Sequence, residues 1–467
     1  MNFTADGCAI GGQARRLSYV AASRLCPPVC YVGVVSFVSE FNSTPARSLA
    51  QQSLAAGSVA VRESLAKAKL SLADFANLIS PAAADWLEHL GRRSHALTQQ
   101  RFGRVIRLFA PLYLSNECIN NCQYCGFSRD NPILRVTLSL DEVRQEAQAL
   151  KEQGFRNILL VAGEHPKFVS VSYLRDCVAA LHPEWPSVSL EVGPLETEDY
   201  RPLVAAGADG LVVYQETYDR KVYVEMHTAG PKRDFDWRLE TPERAYAAGF
   251  RRLGVSPLYG LADWRYEAIC VAAHADYLLR ICWKAAMTIS LPRLRPCAGE
   301  FQPLTHMSDR DLAQLVCALR LMFPDVGLVL STREPAKLRD GLIPLGVTLM
   351  SAGSHTEPGG YTGAGREKLH QTVRGRIVPA GSSEWALVGQ APAGSKPRGD
   401  DRSSRAESGA SEPSDGSSVA SPHQIQTTAA TGQFEIADGR SSQEVADLIR
   451  KLGYEPVWKD WDAALTA

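Results

Sequence analysis

Three cysteines, Cys118, Cys122 and Cys125, fall within one short stretch, SNECINNCQYCGFSRDN, at the spacing C-x3-C-x2-C. Thiolates are soft ligands that select zinc, copper(I) or iron–sulfur clusters. A structural zinc site closes with four ligands, and this loop supplies three. A [4Fe–4S] cube on three thiolates leaves one iron without a protein ligand, and that iron can chelate a small molecule. Zinc with a distant fourth ligand, or three unligated thiols, are the alternatives. Chemistry at an open iron needs a pocket closed to water and oxygen.

Such a loop must be carried by a rigid frame, and the surrounding sequence describes one. Eight short apolar runs alternate with amphipathic stretches: 108–116, 156–163, 187–193, 210–217, 251–257, 287–294, 327–333 and 347–353. The intervening segments carry helix signals. In LSLDEVRQEAQALKEQGF, Ser139 is the expected N-cap, Glu142 completes a capping box and Gly154 suits the stop. In TPERAYAAGF, Thr241 is the expected cap with Pro242 at the first helical position, and Ser308 starts a third helix. Strands separated by helices imply parallel pairing, and eight of them predict an α/β fold, a (β/α)8 TIM-type barrel. The cysteine loop follows the first run, on the face where the active sites of such barrels lie.

The 467 residues hold 50 basic and 51 acidic side chains, so a net charge of -1 provides no basic field for nucleic acid. No apolar run reaches the length of a membrane span. Eleven cysteines, unevenly spaced, argue against a secreted disulfide framework and for a reducing compartment, here the cytoplasm. Residues 1–45 read as an irregular extension, with a weak organelle-targeting peptide as the alternative. Residues 46–107 form a helical lead-in, with Val61, Leu65, Ala68 and Leu72 at helical spacing. The barrel spans 108–365. Residues 366–432 are predicted to be a largely disordered insertion, because 391–432 lacks large apolar side chains. Residues 433–467 regain a helix pattern and should fold back as a C-terminal cap.

With an aromatic residue, Tyr124, before the third cysteine, the motif resembles the radical S-adenosylmethionine (SAM) superfamily. The resemblance implies a [4Fe–4S] cluster whose open iron chelates SAM, and reductive cleavage of SAM to a 5′-deoxyadenosyl radical. VAGEH (161–165) matches the superfamily's Gly-Glu motif, which implies that Gly163 and Glu164 hold the SAM amino group. It implies a backbone contact from Tyr124 to adenine.

Further blocks are closer to one branch. VYQETY (213–218), MHTAGPKRDFDWRLETPERAYAAGF (226–250), PRLRPCAGEF (292–301), LSTRE (330–334) and MSAGSHTEPGGY (350–361) resemble the 2-iminoacetate synthase family. That resemblance implies cleavage of the Cα–Cβ bond of L-tyrosine for thiamine thiazole synthesis, with a flavodoxin or ferredoxin as reductant and a thiazole synthase as receiver of the product. A tyrosine carboxylate calls for an arginine fork, for which Arg293 is the first candidate, ahead of Arg295 and Arg333, with an ion pair to a loop carboxylate as the alternative for each. Ser331 and Thr332 could add hydroxyls. Gln215 and Glu216 would face the SAM or substrate pocket, as would Ser351 and Gly353 at the last strand end. His227 is a candidate for proton transfer, with a plain hydrogen-bonding role as the alternative. The rival branch, the [FeFe]-hydrogenase maturase, binds a second cluster through C-terminal cysteines. This sequence carries no cysteine after Cys317, which argues for a reaction ending at 2-iminoacetate.

Overall fold

The computed structural model describes residues 36–373, 376–380 and 429–458. Each of the eight apolar runs forms a strand: β1 (Val105–Ser115), β2 (Asn157–Ala162), β3 (Ser187–Glu191), β4 (Gly210–Glu216), β5 (Arg252–Pro257), β6 (Ala286–Ser290), β7 (Gly327–Leu330) and β8 (Leu349–Ser351). They pair in chain order and in parallel. The register Arg107↔Leu349 and Leu108↔Met350 joins β8 to β1 and closes the barrel.

Closure places alternate side chains inside. On β3, Ser187, Ser189 and Glu191 face the interior while Val188 and Leu190 are buried outward against the helices. Gly210, Gly254 and Thr288 continue the small inner lining. Small side chains leave the barrel interior open where larger ones would fill it.

The helices follow their caps. Ser139 and Ser308 each complete a capping box, with Glu142 and Asp311 respectively. Thr241 departs from the expected pattern. It is the first helical residue rather than the cap, and its hydroxyl donates to the carbonyl of Trp237 instead. At the N-terminus, Phe37–Ser43 is a helix inside the stretch read as irregular. Phe37 is buried and stacks on His274 with ring centroids 4.1 Å apart. Residues 1–35, where a targeting peptide was the alternative, lie outside the described residues.

Part of the stretch expected to be disordered is a hairpin, His370–Val373 paired antiparallel with Arg376–Pro379; residues 381–428 are also outside the description, which resumes at residue 429. The returning segment runs over the strand ends and forms the helix Ser442–Lys451. It finishes as Glu455–Val457, in parallel register with Val105–Arg107.

Candidate active site

The cysteine loop leaves the end of β1 and is fixed from beneath by a buried guanidinium. Arg135 donates to the carbonyls of Asn116 (2.6 Å), Phe127 (3.2 Å) and Ser128 (2.7 Å), tying both ends of the loop to one side chain. Cys122 is buried, and Cys118 and Cys125 are half-buried. Burial pushes the thiols of Cys122 and Cys125 up, while the Lys232 charge pulls against it. Side-chain amides reach two of the sulfurs: Asn120 Nδ2 lies 3.8 Å from Cys118 Sγ, and Gln433 Nε2 3.9 Å from Cys125 Sγ.

Gly163 closes on this loop from the end of β2. A Cβ there would stand 2.2 Å from the carbonyl oxygen of Glu117. The backbone of Glu164 accepts from Ile119 N–H at 2.8 Å, and its carboxylate accepts from Asn120 Nδ2 at 2.7 Å. Gly193 makes room for that carboxylate, because a Cβ at 193 would lie 2.6 Å from Glu164 Cγ. The Gly-Glu pair and the cysteine loop are therefore in contact, as two strand ends sharing one edge of the barrel mouth.

Glu216 ends β4 at φ 72°, a left-handed conformation unfavourable for a residue with a Cβ. The register between β4 and β5 shifts at this point. The turn sends its carboxylate between Lys232 Nζ (2.6 Å) and Arg238 (3.4 Å). Burial and Arg238 push the Lys232 ammonium down, but Glu216 and Cys122 outweigh them and hold it above its ordinary value. Neighbouring Gln215 donates to the carbonyl of Phe235 and leaves its Oε1 buried without a partner among the described residues.

Below the mouth lies a cavity of roughly 1260 Å³, including the space at its opening. It reaches from Arg107 and Asn157 at the strand starts to Ser331, Thr332, Arg333 and Ser351 at the strand ends. Gln433 and Phe434 of the returning segment form its roof. The roof is held by Tyr113 OH, which donates to Gln433 Oε1 at 2.9 Å, and by Thr332 O, which accepts from the amides of Ala437 and Asp438. Arg333 lies 3.3 Å from the Phe434 ring centroid. Across the lining stands Glu191, whose carboxyl burial pushes up to about 7 against the pull of Arg333.

Two models of known families match the chain: the radical SAM superfamily over residues 112–269, and the biotin and thiamin synthesis associated domain over 290–455. The chain is 37% identical over 406 residues to the 2-iminoacetate synthase of Salmonella typhimurium, covering 87% of this chain and 91% of that protein. The Escherichia coli enzyme gives the same identity and coverage. The chain belongs to the 2-iminoacetate synthase family. Among solved structures, the [FeFe]-hydrogenase maturase HydG superposes with a TM-score of 0.73 at 28% identity, over 90% of this chain and 81% of that one. Methylornithine synthase, at 17% identity and a TM-score of 0.60, shares the fold.

Membership of this family implies a [4Fe–4S] cluster and SAM, and the residues present fit both. Three thiols on one loop would supply three of the four thiolates that such a cluster can take, leaving one position open. The amides at Cys118 and Cys125 and the cation at Lys232 are groups that stabilise anionic sulfur. Were SAM bound at this edge, the Glu164 carboxylate and Gln215 Oε1, unpartnered among the described residues, could accept from its ammonium or hydroxyl donors.

The remaining candidates divide by position. Ser331, Thr332, Arg333 and Ser351 line the cavity. Arg293 and Arg295 are held by buried Glu334, to which Arg293 donates twice and Arg295 once at 3.1 Å. Arg293 also donates to the carbonyl of Met307 and to Asp309. The Arg295 Nε is buried without a partner among the described residues. Tyr124 OH lies 2.7 Å from His227 Nε2, and His227 Nδ1 donates to the carbonyl of Tyr223 at 2.8 Å. With Nδ1 carrying the proton, Nε2 accepts from Tyr124, so both ring nitrogens are engaged. Burial, then the Lys232 charge, depresses His227 to about 2. Gly353, at φ 55°, faces the start of the C-terminal helix at Ser442 rather than the cavity.

Several lining residues escaped the sequence reading: Tyr113, Glu191, Gln433 and Phe434. Glu191 did carry a signal, as the one acidic residue in the run SVSLEVG.

Proposed function

We propose that this chain cleaves the Cα–Cβ bond of L-tyrosine to 2-iminoacetate and a p-cresol-forming fragment, as a carbon–carbon lyase. The observation that carries the reading is 37% identity along nearly the whole length of curated 2-iminoacetate synthases. The maturase neighbour stands lower, at 28%. The cavity supports the same reading, since Gln433 both roofs it and reaches Cys125 Sγ, which sets it beside the cysteine loop.

When bound, cluster and SAM supply the acceptor for one hydrogen atom of the substrate. The chain's own residues bind, orient and exclude water. Arg333 is the residue we assign to the tyrosine carboxylate. It lines the cavity, and among the described residues no carboxylate pairs with it. Ser331 and Thr332 sit beside it to donate to the same group. Arg293 and Arg295 hold Glu334 and so fix the ends of β6 and β7 instead. Glu164 and Gln215 face SAM, Glu216 holds Lys232 beside the cysteine loop, and His227 holds the Tyr124 ring in place. The Gln433–Phe434 roof limits water above the reacting bond.

The unstable product calls for a receiving thiazole synthase, and the cluster for a low-potential donor such as flavodoxin or ferredoxin. We place the reaction in the cytoplasm, where unpaired thiols survive. Among the described residues no helix is long and apolar enough to cross a membrane.

Anaerobic reconstitution with iron and sulfide, followed by tyrosine, SAM and a strong reductant, tests the reading. Expected products are p-cresol, 5′-deoxyadenosine, methionine and glyoxylate, the hydrolysis product of 2-iminoacetate. Carbon monoxide in place of glyoxylate would move the chain to the maturase reaction.

A further inference from the structure

The cavity contains one acid that the assignments above leave without a role. Glu191 ends β3 on the inward face. No side chain or amide among the described residues hydrogen-bonds its carboxylate. An isolated carboxylate in such a place is unfavourable unless something arrives to neutralise it. The charged groups facing it are Arg333, then Glu216, Arg238 and Lys232. The phenols of Tyr113 and Tyr214 are also within its field. None of these cations touches it.

L-Tyrosine brings the complementary group. With its carboxylate at Arg333, the zwitterion still has an ammonium to place. Removal of a hydrogen atom from that nitrogen requires the neutral amine, since the ammonium has no lone pair to stabilise the nitrogen radical. We propose that Glu191 binds the substrate ammonium and takes one proton from it before hydrogen-atom transfer. The step is R–NH3⁺ plus carboxylate giving R–NH2 plus carboxylic acid. One N–H bond breaks, one O–H bond forms, and the electron pair stays on nitrogen. This deepens the tyrosine reading and rests on it. The ammonium of a free α-amino acid, raised by its own carboxylate to roughly 9, lies above that of a chain N-terminus. Against a carboxyl at about 7 the transfer is about 100-fold uphill, a gap that pairing of the substrate carboxylate with Arg333 narrows.

The test compares wild-type holoenzyme with Glu191→Gln and Glu191→Asp. The amide keeps the shape and removes a buried charge, so iron content and melting should match wild type. Two quantities are read. The first is equilibrium affinity for L-tyrosine against 3-(4-hydroxyphenyl)propanoate, which lacks the amine. The second is the pH profile of kcat/KM for p-cresol. Wild type should favour tyrosine and show an acidic limb near neutrality. Glu191→Gln should lose the preference and the limb, with p-cresol formation down about 100-fold or more. Glu191→Asp should retain part of each. A Glu191→Gln enzyme that keeps both the preference and the limb overturns the proposal. Absence of p-cresol from wild type would instead overturn the tyrosine reading itself.

Discussion

Gly163→Ala is the most direct test of how the barrel mouth is assembled. The added Cβ would lie 2.2 Å from Glu117 O, 3.0 Å from its carbonyl carbon and 3.3 Å from Cys118 Cβ. Real Cβ atoms essentially never come closer than 3.0 Å to another heavy atom, so the first contact falls short by 0.8 Å. Two of the three atoms are backbone and cannot rotate aside. Retreat of residue 163 is opposed by its own N–H, which donates to Ser115 O at 3.0 Å. The displacement therefore falls on Glu117, one residue before the first thiol. Overpacking of this kind costs about 1–3 kcal/mol, which a domain of about 5–15 kcal/mol tolerates. The variant should fold, melting a few degrees lower. Its iron content after anaerobic reconstitution should fall well below wild type, and SAM affinity should drop about tenfold, the equivalent of about 1.4 kcal/mol. Full iron occupancy with wild-type SAM affinity would refute the idea that this contact sets the cysteine loop.

Glu334→Gln removes the shared acid of Arg293 and Arg295. Urea unfolding should show a loss of about 3–5 kcal/mol, and a loss under about 1 kcal/mol would mean that the arginines find other partners. Phe434→Ala removes the ring under Arg333, and KM for tyrosine should rise about 2- to 30-fold with kcat nearly unchanged. Buried His227 and His274 are depressed to about 2 and about 3. The unfolded chain takes up these protons below about pH 6.5 while the folded chain does not, so stability is lost as pH falls, by about 1.4 kcal/mol per unit per histidine. His274→Gln should remove one such increment from the slope of stability against pH between 4.5 and 6, and an unchanged slope would contradict the assignment.

The barrel was legible because each strand is an apolar run and each intervening helix carries its own start signal. Ser139 and Ser308 act through bonds to residues three positions on. Thr241 was misplaced by one position, because its hydroxyl turns back four residues to the Trp237 carbonyl and Glu240 takes the cap position. The helix Phe37–Ser43 was missed for a different reason. Phe37 and Phe41 are buried against His274, Tyr277, Tyr218 and Phe235, all far along the chain. Among the arginines, the sequence showed three at strand ends and put Arg293 first. The ranking depends on Glu334, which is next to Arg333 in the chain yet reaches across to Arg293 and Arg295. The roof was illegible because residues 381–428 separate Gln433 and Phe434 from the strands they cover.

The distribution of charge around the mouth explains why a zwitterion suits this cavity. Three buried acids each hold two cations: Glu334 holds Arg293 and Arg295, Glu216 holds Lys232 and Arg238, and Asp438 holds Arg339 and Arg440. These sets anchor β6 to β7, the end of β4 to the segment after it, and the returning chain to the barrel. They leave Arg333 and Glu191 in the cavity lining as a cation and an acid that touch no opposite charge among the described residues. A substrate carrying one charge would satisfy one and leave the other desolvated. On the assignments proposed above, an α-amino acid would satisfy both at once and leave its side chain to occupy the lining below. Discrimination against an analogue lacking either charge follows from the cost of the partner left behind.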